Sequence, residues 1–205
     1  MNTAAHAFQD NDQLQAQILK DHDAIDRKSF KTYFNSGTFP FWLVHLASLT
    51  AFFIPFSWNY VALAIGTYYG RMFFVTGSYH RYFAHRTYKT SRAFQFVLAF
   101  LAQCAVQKGV LWWAACHRDH HRNSDQPGDL HSPKDGWLWS HVGWAMSEEL
   151  HPTRFDKVKD FTKFPELVWL SKYHWVPLLT YCAVLVAFGG FPALVWGFFV
   201  STTFL

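Results

Sequence analysis

The sequence contains few of the residues that soluble domains use on their surfaces. Charged residues make up 16% of its 205 residues, against about 25% in typical globular chains. Its three cysteines, Cys104, Cys116 and Cys182, form no Cys-x-x-Cys pair and no disulfide framework. Their scarcity argues against a thiolate zinc site or an iron–sulfur cluster, and it suits a reducing compartment or a membrane interior. The first 31 residues are polar and lack the apolar stretch of a secretory signal, so secretion is not predicted.

What the sequence has in abundance is apolar and aromatic residues, including 22 Phe and 10 Trp. They are concentrated in four segments, the first of which is about 27 Å long as a helix and so just long enough to cross a hydrocarbon core. We predict an all-α integral membrane protein with two transmembrane helical hairpins, whose spans are residues 39–56, 60–77, 175–188 and 191–205. The buried charge of Arg71 in the second span requires a partner or a route to the surface.

The remaining segments are polar. Residues 1–35 form a polar N-terminal lead-in, and residues 36–205 form one domain with a polar region, residues 78–174, between the two hairpins. Within that region, residues 93–115 are apolar but interrupted by glutamines and a lysine, which favours a helix that lies in the membrane interface or is partly buried in the protein over a clean span. The last apolar segment has 15 residues at Leu205, so we expect a C-terminally truncated domain.

The positive charges predict an orientation. Of the 18 Lys and Arg residues, 13 lie between residues 78 and 174 and four lie in the lead-in. By the positive-inside rule, the N-terminus and the polar region face the cytoplasm, where anionic lipid headgroups account for the basic surface. We therefore predict a multi-pass membrane protein with lipids as partners and no nucleic acid.

Two histidine clusters carry the chemistry of this chain. The first is His80-x4-His85, and the second is His117-x2-His120-His121. Imidazole is a common ligand of iron, zinc and copper. On a helix, His117, His120 and His121 fall within an arc of about 100°, whereas His80 and His85 diverge by about 140°. The first pair therefore either binds two different metals or requires the helix to unwind between the two residues.

Other polar residues near the clusters have weaker interpretations. Asp125, Asp129, His131 and His141 could orient the ligating histidines through hydrogen bonds, and the alternatives are turn residues for the aspartates and structural residues for the histidines. The isolated residues His45 and His174 are interpreted as structural, His6 and His22 as solvated, and Cys116 as packing. Residues 108–113, with nearby phenylalanines, could line a channel for an apolar substrate or simply pack.

With these motifs the chain resembles the membrane fatty acid desaturases, particularly the branch of Δ9 acyl-lipid and stearoyl-CoA desaturases. The two histidine clusters match the first two histidine boxes of that family, and residues 129–144 also resemble this branch. The resemblance covers about residues 38–205. It departs from the animal acyl-CoA enzymes at Ala115-Cys116 and Glu149-Leu150, where those enzymes have contacts to coenzyme A, and the family's third histidine box is not in the sequence.

The resemblance implies an oxygen-dependent reaction that introduces a cis double bond, commonly at the ninth carbon, into a CoA-bound or lipid-bound fatty acyl chain. It implies two iron ions held by His80, His85, His117, His120 and His121, with no catalytic residues other than these ligands. Electrons would come from NAD(P)H through a carrier such as cytochrome b5 or ferredoxin. Without the third box, the chain is expected to be an inactive fragment.

Two alternatives to a desaturase stay open. A membrane lipid hydroxylase would use the same pair of irons, and the sequence does not separate the two outcomes. A non-enzymatic membrane metal-binding or transport protein would place its ligands near the bilayer midplane, whereas these clusters lie outside the apolar segments.

Overall fold

The computed structural model describes Arg27, residues 29–147, Leu150 and residues 152–205. Every regular element in this part of the chain is a helix, so the all-α prediction is confirmed. Most of the predicted lead-in, including His6 and His22, lies outside the described residues, as does Glu149.

The α-helices are numbered in chain order: α1 (Phe30–Tyr33), α2 (Phe39–Ser48), α3 (Trp58–Phe74), α4 (Arg92–Gln103), α5 (Val110–Asn123), α6 (Trp144–Met146), α7 (Lys159–Thr162), α8 (Pro165–Lys172), α9 (Trp175–Leu194) and α10 (Ser201–Thr203). The π-helices of the described residues are π1 (Val75–Ala84), π2 (Trp139–Gly143) and π3 (Val195–Val200). Short 3-10 helices lie at Leu49–Phe53, Pro133–Asp135 and Phe155–Val158.

The chain divides into two compact units. The larger unit comprises Thr38–Arg118 and Thr153–Leu205, and the smaller unit comprises Met1–Gly37 and Asp119–Pro152. Helix α5 belongs to the larger unit as far as Arg118 and to the smaller unit from Asp119.

The core of the larger unit is apolar and lies between π1, α4, α5, α7 and α8. Tyr79, Phe83, Val110, Leu111 and Leu167 each have no exposed surface. Serine caps position the surrounding helices: Ser57 accepts a hydrogen bond from Asn59 N–H at the start of α3, and Ser91 accepts one from Phe94 N–H at the start of α4. This core therefore fixes π1, which carries His80 and is directly followed by His85, against α5, which carries His117.

The chain reverses direction at Gly190. The backbone of this residue has φ 63° and ψ −160°, a conformation essentially restricted to glycine. The Tyr181 hydroxyl donates to the Gly197 carbonyl at 2.6 Å, although 16 residues separate them, which in a straight helix would correspond to about 24 Å. The arms before and after Gly190 therefore lie side by side.

Fewer helices of the described residues are long and apolar enough to cross a membrane than the sequence predicts. Among the described residues, the one helical stretch long and apolar enough to cross a membrane is Trp175–Thr203, which contains the bend at Gly190. The apolar helix Phe39–Phe53 is shorter. The predicted span at residues 60–77 lies in α3 and the start of π1.

Large aromatic side chains are exposed where the apolar segments turn. Phe52 and Phe53 are 85% and 89% exposed beside the loop before α3, and Phe188 is 90% exposed beside the Gly190 bend. Such exposure is unfavourable in water and indicates contact with an apolar environment or a partner.

Arg71 has the hydrogen-bond partners that a charged side chain in an apolar segment requires. It is 4% exposed and donates to the Ser201 hydroxyl at 2.6 Å and to the Thr202 hydroxyl at 2.7 Å. Its guanidinium also lies over the Tyr181 ring. Arg71 thus joins α3 to α10 within the larger unit.

The expectation of a single helix over residues 93–115 is wrong. The structure has two helices there, α4 and α5, separated by residues 104–109. Val106 and Lys108 adopt positive φ angles of 62° and 63°, which a continuing helix does not allow. The sequence did not reveal this break because the residues on both sides of it are apolar, and only the backbone turn separates the two helices.

The smaller unit is held together around Trp139. Its indole N–H donates to the Leu130 carbonyl at 3.1 Å. Arg27 lies over the Trp139 ring and pairs with Asp135 at 3.6 Å. The Tyr33 hydroxyl donates to the Arg27 carbonyl at 2.9 Å. The unit therefore combines α1 with the segment after α5.

Candidate metal centre

The π-helical backbone of π1 brings the two histidines of the first box together. The His85 N–H donates to the His80 carbonyl at 3.0 Å, a hydrogen bond that spans five residues and characterises a π-turn. The two ring centroids are consequently 4.5 Å apart. Of the two alternatives that the spacing left open, the helix departs from regular α geometry between the residues.

His117 of α5 joins this pair within the larger unit. Its ring centroid lies 4.8 Å from that of His80 and 5.3 Å from that of His85. A ligating nitrogen of each of the three rings lies within 4.8 Å of the others. Three imidazoles from two helices therefore converge on one point.

An aromatic stack fixes the plane of the His117 ring. Trp113, one turn earlier on α5, stacks on His117 with centroids 4.6 Å apart and on Tyr79 with centroids 5.2 Å apart. The Trp113 indole N–H donates to the Gln107 side chain at 3.0 Å. Sequence reasoning considered Trp113 for a channel or for packing and missed this contact, although its spacing of four residues from His117 was the available signal.

His121 follows His117 by four residues on the same helix. Side chains at this spacing lie on one face, one turn apart. The helix thus presents His117 and His121 in the same direction.

The smaller unit contains a second group of possible ligands: His120, Asp129 and His131. The His120 Nδ1 is hydrogen bonded to the Asp129 carboxylate at 2.8 Å, and His131 stacks on His120 with centroids 4.0 Å apart. The His131 ring also contacts Trp144. A carboxylate on one ring nitrogen fixes the tautomer and leaves the other nitrogen to a metal, the arrangement that orients many metal-bound histidines.

The Asp129 carboxylate is buried but well satisfied. Burial alone would raise its pKa, but hydrogen bonds from His120 and from the N–H groups of Asp125 and His131 outweigh this effect and lower the pKa. Asp129 is therefore ionised at neutral pH. Burial lowers the pKa of His131, which favours the neutral imidazole that metals bind.

The structure does not bring every predicted residue to the histidines. Asp125, at a positive φ of 58°, accepts a hydrogen bond from the Ser132 hydroxyl and forms part of the turn after α5. His141 stacks on the exposed ring of Trp137. His45 bonds the Phe41 carbonyl of its own helix, and His174 precedes α9.

These donors fit a metal bound by imidazole nitrogen rather than by sulfur. The buried thiol of Cys116, next to His117, has its pKa raised by burial to about 12, and its sulfur is not among the atoms that converge in either group of possible ligands. Imidazole with carboxylate support suits iron, zinc and copper.

Comparison with known proteins identifies the group to which this arrangement belongs. Residues 55–205, which contain all five box histidines, match the model of the fatty acid desaturase family. The chain belongs to the fatty acid desaturase family.

Comparison with curated desaturases shows how much of such proteins the chain matches. It is 32% identical to an acyl-CoA 5-desaturase of Anemone leveillei over 78% of the chain and 50% of that protein. It is 33% identical to the chloroplastic palmitoyl-monogalactosyldiacylglycerol delta-7 desaturase of Arabidopsis thaliana, over 75% of the chain and 42% of that protein. It is 31% identical to the sn-1 stearoyl-lipid 9-desaturase of Synechocystis, over 82% of the chain and 54% of that protein. The chain thus spans about half the length of the curated relatives it matches.

Proposed function

We propose that this desaturase family member uses a histidine-bound pair of iron ions and O2 to introduce a double bond into a fatty acyl chain. The observation that carries the proposal is the convergence of His80, His85 and His117, whose ligating nitrogens lie within 4.8 Å of one another. The pairing of His120 with a buried carboxylate supports it, because such pairing prepares an imidazole for a metal.

In this proposal His80, His85, His117, His120 and His121 are the metal ligands. Asp129 orients His120, and His131 packs against it. Iron, when bound, would supply the activation of O2 that removal of hydrogen from saturated carbon requires. The protein holds the imidazoles in place, and Trp113, which stacks on His117 and on Tyr79, holds the plane of the His117 ring.

The acyl chain is the proposed substrate, as the names of the relatives suggest. Those names include both CoA-linked and lipid-linked substrates and positions 5, 7 and 9. We therefore propose the reaction class and leave the carrier and the position of the double bond open. Electrons would come from NAD(P)H through a small carrier of the cytochrome b5 or ferredoxin type.

We also propose that the protein is a multi-pass membrane protein with its histidines on the cytoplasmic side. The exposed Phe52, Phe53 and Phe188 support contact with lipid. The Gly190 reversal supports a second hairpin built from residues 175–188 and 191–205. The distribution of Lys and Arg supports the orientation.

Metal binding is the first test and needs no enzymatic activity. The purified chain in detergent is titrated with Co2+, whose visible absorption reports the geometry of its ligands. We expect binding that His80→Ala and His117→Ala each weaken by about 10-fold or more. His45→Ala is the control, because His45 bonds its own helix. Equal affinities in all four proteins would refute the proposed centre.

Product analysis is the second test. The complete gene product is expressed in desaturase-deficient cells with an electron donor, and the total fatty acids are analysed. We expect a monounsaturated product that His120→Ala abolishes. A hydroxylated lipid in its place would identify a hydroxylase instead.

Residues 1–205 expressed alone form a further arm of this assay. Two iron ions have roughly twelve coordination positions between them, and five imidazoles fill fewer than half. We therefore expect no new product from this chain alone. A monounsaturated product would show that the five histidines, or several copies of the chain together, suffice.

A further inference from the structure

Arg118, which lies between two of the proposed ligands, uses all of its N–H donors within the larger unit. Its Nε donates to the Ala84 carbonyl at 3.1 Å, and its Nη2 donates to the Phe83 carbonyl at 2.7 Å. Its Nη1 donates to the Lys157 carbonyl at 2.9 Å. The remaining two N–H groups bind the two carboxylate oxygens of Asp160 at 2.8 Å and 3.0 Å. An arginine has five N–H donors, so this guanidinium is fully satisfied.

The acceptors are informative because of where they lie in the chain. Phe83 and Ala84 are the last two residues before His85, at the C-terminal end of π1, where backbone carbonyls lack partners within the helix. Arg118 itself directly follows His117 on α5. One side chain therefore connects the backbone next to one histidine with the backbone next to another, without touching either ring in these bonds.

Asp160 anchors this connection from a third segment. Besides the two bonds from Arg118, it accepts one from Arg86, which directly follows His85. The Phe161 ring lies beneath both guanidinium groups, with distances of 5.1 Å from Arg86 and 5.6 Å from Arg118. Burial alone would raise the pKa of Asp160, but its bonds to the two arginines lower it, so the carboxylate is ionised at neutral pH.

From this geometry we propose that Arg118 and Asp160 are positioning residues that set the separation of His85 and His117. They do not bind metal or substrate. The bonds from Arg118 to the Phe83 and Ala84 carbonyls fix the end of π1 to α5, and Asp160 holds the guanidinium in place. The ring centroids of His85 and His117 therefore stay 5.3 Å apart before a metal arrives. The proposal rests on the metal-binding role proposed above.

The chain contains a matched control for this pair. Arg92 and Glu166 also form a bidentate pair, with both distances 2.7 Å, in the same unit. They join the starts of α4 and α8, and neither residue lies next to a histidine. Their substitution removes an ion pair of the same chemistry without disturbing the backbone of π1 or α5.

The test is Co2+ titration of the purified chain with Arg118→Lys and Asp160→Asn, alongside Arg92→Lys and Glu166→Gln. A lysine has one nitrogen and cannot reach all of these acceptors at once. We expect both site variants to raise the Co2+ dissociation constant about 10- to 100-fold and to shift the visible absorption band of bound Co2+. The control variants should leave both quantities unchanged.

Each other outcome would overturn the proposal. Site variants that bind Co2+ like the unsubstituted chain would show that the histidines need no such support. Site variants that lose their circular dichroism, while the controls retain theirs, would show that the network holds the whole unit and not this separation. If the unsubstituted chain bound no Co2+, the proposed metal centre itself would fail.

Discussion

At the scale of single residues, Asp129 and Asp125 have different roles in the structure, one beside a histidine and one in a turn, which the sequence alone did not distinguish. Both follow the second box, but only the Asp129 carboxylate bonds a box histidine, His120. We predict that Asp129→Asn weakens Co2+ binding about 10-fold or more, because an amide does not fix the imidazole as a carboxylate does. Asp125→Asn should have little effect, since that side chain bonds Ser132 in the turn. Equal effects in the titration would contradict the distinction.

Lys108 is a second residue with a measurable consequence. Its ammonium lies 4.3 Å from the centre of the Trp112 ring and, among the described residues, is buried without a hydrogen-bond partner. Burial lowers its pKa from 10.5 to about 8. At pH 7 the folded protein therefore holds an unfavourable buried charge.

Replacing Lys108 with Met should stabilise the protein by roughly 1 to 3 kcal/mol at pH 7. The unsubstituted protein should itself gain stability between pH 8 and 10.5, because there the folded state has released a proton that the unfolded state retains. The advantage of the variant should thus shrink towards pH 10. Thermal unfolding in detergent at the two pH values measures this, and a constant advantage would argue against the buried charge.

The cysteines give a third prediction at this scale. Burial raises the pKa of Cys104 to about 11 and that of Cys116 to about 12. Because the thiolate is the reactive form, we expect neither residue to be alkylated by iodoacetamide at pH 8 in the folded protein. Mass spectrometry of folded and denatured samples tests this, and rapid labelling of Cys116 in the folded sample would contradict its burial beside His117.

At the scale of the element, the turn between α4 and α5 decides whether α5 can pack where it does. A Cβ atom on Gly109 would lie 2.5 Å from the Ser171 carbonyl oxygen at the end of α8. We predict that Gly109→Ala destabilises the protein by about 1 to 3 kcal/mol. Gly66→Ala is the control, because a Cβ there meets nothing within 4 Å and alanine favours a helix. Thermal unfolding should show a lower midpoint temperature for Gly109→Ala and no lower midpoint for Gly66→Ala.

The elements also show how far sequence reasoning reaches. The apolar segments and the helical class followed from composition, because side-chain periodicity and length determine them. The turn at residues 104–109 did not, since Val106 and Lys108 are not residues that usually adopt positive φ. The π-helical geometry at His80 and His85 could not be predicted either, because a backbone hydrogen bond that spans five residues leaves no pattern in side-chain type.

The candidate site was predictable in its ligand types but not in its support. Histidine spacing alone marked His117, His120 and His121 as possible ligands. Arg118 lies among them, yet its partner Asp160 is 42 residues away, and only the folded chain brings the two together. A side chain that acts through distant carbonyls has no local sequence signal.

At the scale of the whole molecule, the Gly190 bend limits the length of the helical arm that precedes it, which bears on the membrane placement proposed above. The arm from Trp175 to Gly189 has 15 residues, about 22 Å of helix, whereas a typical hydrocarbon core is about 30 Å thick. Such a hydrophobic mismatch is relieved when the surrounding lipid thins. For the membrane protein proposed above, we expect reconstitution to be more efficient in short-chain than in long-chain phosphatidylcholine vesicles, as measured by co-flotation, and the opposite order would contradict a short arm before the bend. A bilayer that thins around this arm would bring the lipid headgroups closer to the level at which the chain turns at Gly190.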